Sequence, residues 1–321
     1  MARPGSAPGP ALSIVIPTWN SAGSITRAIE SITADAAVDL ECLVIDDGST
    51  DGTADVVAAI ATRDQRVHLT RLGANVGVSE ARNRGIEDSR GAWIAFLDAD
   101  DRILPGGIAA LWRAKEDSSV RVVIGQRIIT NGDRTWISRA YDRTDIRQPG
   151  RKSIQSHPEL MYYASIHGKL FERSLVQDLR FDGRVLGDQP WTIGALLRAG
   201  PGIEVISDVV YEWFRPHPDR YVEGITAATR AFTDRAADMA LRTSVAFEAV
   251  SRDVDRLIAD GMTGRMIKSV YFHRLVVSDL RVPVDIALAR RDPSTGRLFD
   301  AVAEFLEHVP PPILAGSELL V

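Results

Sequence analysis

Phe96-Leu97-Asp98-Ala99-Asp100-Asp101 closes a near-continuous apolar run with three carboxylates in four residues. Carboxylates this close repel one another unless something positive sits among them, and a divalent cation is the simplest such group. Hard oxygen donors favour Mg2+ or Mn2+, ions that complete their shells with water and substrate phosphates. A diphosphate is then a natural co-ligand. A second acidic cluster, Asp46-Asp47-Gly48-Ser49-Thr50-Asp51, follows the apolar run Cys42 to Ile45. Either cluster alone also reads as a turn with a helix cap. Two of them at matching strand ends point to a ligand site. Leu186-Gly187-Asp188-Gln189-Pro190-Trp191 sets a further carboxylate, Asp188, at a helix start, where an N-cap is one available role.

Positioning these groups requires a repeating strand and helix pattern, and the sequence supplies one. Leu12 to Ile16 is a short apolar run ending at Pro17, and Ser21 to Ile32 carries a helical apolar rhythm through Ile25, Ala28, Ile29 and Ile32. The cycle repeats with a strand at Cys42 to Ile45, a helix at Ala54 to Ala61, a strand at Val67 to Leu69, a helix at Ser79 to Ile86 and a strand at Ala92 to Leu97. Such alternation predicts an α/β fold with a largely parallel sheet, whose ligands bind beyond the carboxyl ends of the strands. Further on, strands at Val120 to Ile124, Arg127 to Ile129 and Thr135 to Ile137, with a turn at Asn131-Gly132-Asp133, predict antiparallel additions and hence a mixed sheet. A helix over Gln189 to Leu197 and strands at Ile203 to Ile206 and Val209 to Phe214 follow. From about Ile225 the pattern is helical, broken at Gly261, Pro283 and Pro293.

Bulk properties narrow the partners. The 321 residues leave room for one large domain and a smaller appended region. A formal charge of -5, with only four lysines beside diffuse arginines, gives no surface for nucleic acid. Cys42 is the only cysteine, which excludes an intrachain disulfide or a thiolate metal site and fits a reducing cytoplasm. The stretch 1–10 reads as a flexible leader without the apolar core of a secretion signal. No uninterrupted apolar run is long enough for a bilayer-spanning helix, so membrane contact is expected to be peripheral, at the inner face.

The ordered set Ile16-Pro17-Thr18-Trp19-Asn20, Val44 to Thr53 (VIDDGSTDGT), Asn75-Val76-Gly77, Ala81-Arg82-Asn83 and FLDADD resembles glycosyltransferase family 2 over roughly residues 11–220. The resemblance implies a GT-A fold, a nucleotide-sugar donor, foremost a UDP-sugar, a glycan or polymer hydroxyl as acceptor, and a divalent metal, Mn2+ or Mg2+. It places Pro17, Thr18, Asn20 and Asn75 in the nucleotide pocket and Asp47 on the base ring. Arg82 comes near the nucleotide or its phosphates, Asp98 and Ala99 lie on the ribose side, and Asp100 ligates the metal. It also makes Asp188 the catalytic base of a single inverting displacement, although Gly187 stands where the family often has Glu. Asp101, Lys169 in the Ile166 to Phe171 segment, Trp191 and Arg215 are implied near the acceptor or donor sugar. Arg215-Pro216-His217-Pro218-Asp219-Arg220 resembles a segment that closes over the donor phosphates, with His217 a metal ligand; an exposed loop is the other reading of that histidine. The expected organisation is a leader at 1–10, a GT-A catalytic domain at 11–224 and a helical region at 225–321. That last region resembles the tails of wall-teichoic-acid and capsule glycosyltransferases, and its apolar helix faces could pair two copies of the chain or hold a polymer.

Competing classes have specific requirements. No GxGxxG follows the first strand and no GxxxxGK[ST] occurs, which argues against hydride transfer and P-loop chemistry. A sugar nucleotidyltransferase shares an acidic metal motif but calls for a Gly-rich loop where this chain has Pro17-Thr18-Trp19-Asn20. A non-catalytic module that binds nucleotide-sugar without turnover is the alternative from a different class.

Overall fold

The computed structural model describes residues 9–35, 38–137, 147–182, 187–215, 243–280, 295–307 and 309–313. Ten strands form one mixed sheet: β1 (Leu12–Thr18), β2 (Leu40–Asp46), β3 (Val67–Arg71), β4 (Trp93–Phe96), β5 (Arg102–Ile103), β6 (Val122–Thr130), β7 (Thr135–Trp136), β8 (Gly150–Lys152), β9 (Lys169–Glu172) and β10 (Ile203–Phe214). Their main order is β3-β2-β1-β4-β9-β6-β10-β5, with β7 on β6 and β8 on β10. The half β3-β2-β1-β4 is parallel. Its strands are linked by helices α1 (Ile25–Thr33), α2 (Thr53–Ala61) and α3 (Val78–Asp88), while α4 (Gly107–Ala114) follows β5. Every residue of β1 and β2 is buried, as expected of strands covered on both faces.

Several boundaries differ from the sequence reading for identifiable reasons. β1 continues through Pro17 to Thr18, two residues past the expected stop. Leu97 N–H donates to Val15 O, and by the period of two Pro17 faces the same side, past the last β4 pairing at Phe96. A missing amide donor is tolerated there because no ladder bond is due. The two strands expected at 120–124 and 127–129 are one, β6, since polar Gln126 and Arg127 stay paired with β10 across a register shift. The two expected at 203–206 and 209–214 likewise form β10, interrupted only by register shifts between Val205 and Val209 and between Val209 and Tyr211. Such an irregularity re-aims side chains without ending the strand. β9 was hidden in the apolar stretch ahead of Asp188, and it enters antiparallel between β4 and β6.

Helices occupy 243–257, Gly261–Arg274 and Thr295–Glu307, with a π-helical turn at Leu275–Leu280. Their apolar residues, among them Phe247, Val254, Ile267, Tyr271 and Phe305, join the same core cluster as Ile94, Phe96, Phe171 and Trp191. The helical region therefore shares a core with one face of the sheet. Among the described residues, no helix is long and apolar enough to cross a membrane.

Trp191, expected near a sugar, lies instead inside this core at 2% exposure. Its ring stacks on Phe181 at 4.8 Å and takes Phe96 and Phe171 edge-on at 5.3 and 5.0 Å. The ring is thus enclosed by aromatic neighbours, because its position on the helix Asp188–Ala199 faces the core. Replacing it with alanine is expected to cost about 3–5 kcal/mol in denaturant unfolding, a loss a surface sugar contact would not produce.

Gly85 of α3 lies against β1, where an added Cβ would come within 2.2 Å of Val15 Cγ1. Only glycine permits this approach without displacing a stiff β-branched neighbour. Gly85→Ala is expected to lower stability by about 1–3 kcal/mol in thermal or denaturant melts, the usual penalty of overpacking.

Candidate functional site

The strand ends of β1 and β2 build one half of the site. After β2, Gly48 adopts φ +73, and a Cβ there would come within 2.6 Å of the Ala74 carbonyl carbon, so the turn and the 74–77 loop approach as only glycine allows. Asp47, itself buried, then accepts from Val76 N–H at 2.7 Å and Gly77 N–H at 2.8 Å. Asn20 takes a left-handed φ of 48°, a conformation asparagine tolerates better than most residues, and accepts from Thr50 N–H at 2.9 Å while its own N–H donates to Ser49 Oγ at 2.9 Å. These bonds fix three loops around a cavity of about 150 Å³ lined by Pro17, Thr18, Trp19, Asp47, Asn75, Gly77, Val78 and Ala81.

Four of the expected nucleotide residues, Pro17, Thr18, Asp47 and Asn75, thus meet at one cavity. Asn20 serves instead as the clasp of its rim. Asp47 already holds two backbone amides, yet each carboxylate oxygen keeps a second lone pair. Thr18 Oγ1 is buried without a hydrogen-bond partner. Trp19 stands 54% exposed at the same cavity, an aromatic surface that water covers poorly.

The second half lies beside it, because β1 pairs with β4 and the chain leaves β4 at Leu97-Asp98. Asp98 Oδ1 accepts from Arg82 Nη2 of α3 at 2.9 Å, and Oδ2 lies 2.9 Å from His167 Nε2. Burial would raise the Asp98 carboxyl, but His167 and Arg82 outweigh it and hold it far below the usual carboxylate range. Arg82 also sits 5.6 Å over the Phe181 ring, which ties the ion pair to the aromatic core. Asp101 turns the other way: the Tyr211 hydroxyl donates to Oδ2 at 2.6 Å and Phe214 N–H to Oδ1 at 2.8 Å. Burial, reinforced by Asp98 and opposed by His167 and Tyr211, pushes the Asp101 carboxyl up to about 7. Ala99 between them is buried.

One carboxylate oxygen each from Asp98 and Asp101 and a ring nitrogen of His167 lie within 4.8 Å of one another. Two hard oxygens and an imidazole suit Mn2+ or Mg2+, so the donor set fits the expected cation. Asp100, the expected ligand, is exposed, and its backbone carbonyl accepts from Arg27 Nη2 at 2.5 Å. Lost hydration and then the Asp98 charge raise its carboxyl above the ordinary value. The candidate cation-binding group therefore centres on Asp98, Asp101 and His167, with Asp100 on the outer side.

Asp188 opens the helix Asp188–Ala199 and is half-buried. Lys169 of β9, two residues after His167, is buried and donates from Nζ to Ser165 O at 2.6 Å. Burial and the Arg127 charge push the Lys169 amine well below its ordinary value, with Asp188 pulling the other way. Lys169 thus lies within electrostatic reach of Asp188. Arg215 is exposed and lies with its guanidinium 3.8 Å from the Trp213 ring centroid. His217 lies outside the described residues. His167 and Tyr211 were not singled out by residue spacing: one sits in a short His-Gly-Lys run, the other inside a strand. Their roles arise only where β9 and β10 bring them to the Asp98 loop.

The protein-family model described as Glycosyl transferase family 2 matches residues 13–180. The succinoglycan biosynthesis protein ExoO of Rhizobium meliloti is 29% identical over 244 residues, covering 71% of this chain and 69% of that protein. An uncharacterized protein of Mycobacterium tuberculosis, MT1568, is 32% identical over 159 residues, covering 50% of this chain; the chain spans about half, 49%, of its length. The putative teichuronic acid biosynthesis glycosyltransferase TuaG of Bacillus subtilis is 34% identical over 93 residues, 29% of this chain and 37% of that protein. Among solved structures, TarS 1–349 of S. aureus in complex with UDP-GlcNAc superposes with a TM-score of 0.74 at 20% identity, over 95% of this chain and 83% of that one. The mannosyltransferase PcManGT of Pyrobaculum calidifontis, in complex with GDP-Man and Mn2+, superposes with a TM-score of 0.57 at 18% identity, over 98% and 86% of the two chains. With the acidic strand ends, the cavity between β1 and β2 and the mixed sheet already in place, the match over 13–180 makes this chain a member of glycosyl transferase family 2.

Proposed function

We propose that the chain is an inverting, metal-assisted glycosyltransferase that moves a sugar from a UDP-sugar to a hydroxyl of a glycan or cell-surface polymer in a single displacement. The observation that carries this reading is the adjacency of the cavity at Pro17, Thr18, Asp47 and Asn75 to the Asp98–Asp101–His167 group, imposed by the pairing of β1 with β4. A nucleoside in the cavity has its diphosphate directed toward the acidic group. UDP-GlcNAc on the similarly folded TarS and Mn2+ on the similarly folded PcManGT support the same choice of donor and ion.

Each residue then has a chemical task. Pro17, Thr18, Asp47 and Asn75 hold the nucleoside, and Trp19 covers apolar ring surface beside them. Asp98, held by Arg82 and His167, lies on the ribose side and would hold the cation with Asp101 and His167, with Asp100 the further ligand that the family resemblance implies. When bound, the cation neutralises charge that accumulates on the departing diphosphate. The acceptor hydroxyl is too weak an acid to attack unaided, and Asp188 takes its proton as general base. Attack opposite the leaving group inverts the anomeric carbon and needs no covalent intermediate. An extracellular or capsule polymer as acceptor is supported by ExoO and TuaG, whose names tie them to succinoglycan and teichuronic acid synthesis.

Nucleotide release from a panel of UDP-, GDP- and dTDP-sugars, with Mn2+ or Mg2+ against EDTA, tests the reading without an acceptor. One nucleotide is expected to be released only with metal. Asp100→Ala should abolish release, and Asp188→Asn should slow it about 100- to 10,000-fold, the range of general-base contributions. Binding of a sugar nucleotide with metal but without turnover of any donor or acceptor would instead favour a non-catalytic binding module, and incorporation of label from a sugar 1-phosphate into nucleotide-sugar would favour a nucleotidyltransferase.

A further inference from the structure

Gln189, the residue after Asp188, is 3% exposed and fully engaged by the C-terminal helices. Its side-chain oxygen accepts from Arg274 Nη1 at 2.5 Å and from the Tyr271 hydroxyl at 3.1 Å. Its side-chain nitrogen lies 3.5 Å from Asp279 Oδ1, at the outer limit of a hydrogen bond. Arg274 Nη1 also donates to Asp279 Oδ2 at 2.5 Å, which closes the network. Arg274 and Tyr271 belong to the helix Gly261–Arg274, whereas Asp279 belongs to the π-helical turn Leu275–Leu280. That turn returns a carboxylate to a guanidinium five residues earlier, and π-helical turns are frequent at functional sites.

Two features make this more than core packing. A buried amide, guanidinium, phenol and carboxylate cost several kcal/mol of desolvation if any partner is lost, so the network holds one geometry sharply. It also grips the first turn of the very helix that opens with Asp188, and the Asp188 charge is felt at both Tyr271 and Asp279. The same helix also contacts the 3-10 turn Pro158–Tyr163, where His273 Nδ1 lies 2.6 Å from the Tyr162 hydroxyl.

We propose that Arg274, Tyr271 and Asp279 are positioning residues for Asp188, acting through Gln189, so that the C-terminal helices complete the catalytic centre. The proposal rests on the reading of Asp188 as the general base. The network fixes where the first turn begins and therefore where the Asp188 carboxylate is aimed. A displacement of about 1 Å at a reacting group costs on the order of 100-fold in rate. Binding of the donor, built on β1, β2 and the Asp98 loop, does not pass through these residues.

The test uses the full chain, with UDP-GlcNAc and Mn2+ or the sugar nucleotide of the panel hydrolysed fastest. Gln189→Leu and Arg274→Gln are expected to lower kcat about 10- to 100-fold while KM for the donor stays within about twofold and the donor is still bound. Gln189→Glu, which keeps an acceptor for Arg274 and Tyr271, should recover most of the rate and controls for a failure of Gln189→Leu to fold. In an Asp188→Asn background, Gln189→Leu should add little, because both changes remove the same function. Unchanged kcat in folded Gln189→Leu and Arg274→Gln, or equal changes in kcat and KM, would overturn the proposal. So would full multiplication of the two losses in the double variant. Wild-type kcat in Asp188→Asn would instead sink the base assignment itself, a separate result.

Discussion

The Asp98 carboxylate, held between the guanidinium of Arg82 and the imidazole of His167, is the interaction on which the site turns. Its three participants come from the end of β4, from α3 and from the segment entering β9, so the pairing can form only once both halves of the sheet are joined. Asp98 is only partly exposed, and removal of Arg82 would leave its charge without the guanidinium that pairs with it. The surrounding order follows from satisfying it. Arg82 lies over Phe181, Phe181 stacks on Trp191, and Trp191 anchors the helix that begins at Asp188. One chain of contacts thus runs from the acidic loop through the aromatic core to the proposed base.

Asp101, three residues further on, shows how differently two neighbouring carboxylates can be treated. Asp98 has a guanidinium and an imidazole beside it and is held far below the usual carboxylate range, whereas Asp101 has a phenol and a backbone amide, and burial pushes it up to about 7. Environment, not residue type, separates them. The bend at Asp98 to Asp101 also recruits β10, since Tyr211 and Phe214 both bond to Asp101. Strand β10, next to the edge strand β5, is thereby tied to the loop that leaves β4.

Much of the first half was legible because its physics is local. Buried parallel strands are continuous apolar runs, each ends where polar residues begin, and the helices between them carry an apolar stripe, as Ile25, Ala28, Ile29 and Ile32 do in α1. The grouping of Pro17, Thr18, Asp47 and Asn75 at one cavity follows from the adjacent ends of β1, β2 and β3, closed by the Gly48 turn and the Asp47 and Asn20 bonds. The second half was less legible. Nothing local distinguishes β9 from the apolar stretch around it, and Trp191 in isolation reads equally as a sugar platform or a core residue until Phe96, Phe171 and Phe181 are seen around it.

By itself, then, the sequence determined the alternation of strands and helices, the two acidic strand ends and the chemistry those residue types can perform, because propensity, periodicity and charge repulsion act over a few residues. Tertiary structure alone decided that His167 and Tyr211 join the acidic group and that Asp100 lies on its outer side. It also decided that the C-terminal helices enter the core and grip Gln189 through Arg274, Tyr271 and Asp279. These contacts link residues tens to more than a hundred positions apart. Their geometry depends on strand order, on the β10 register shifts and on one π-helical turn, none of which leaves a periodic signal in the chain.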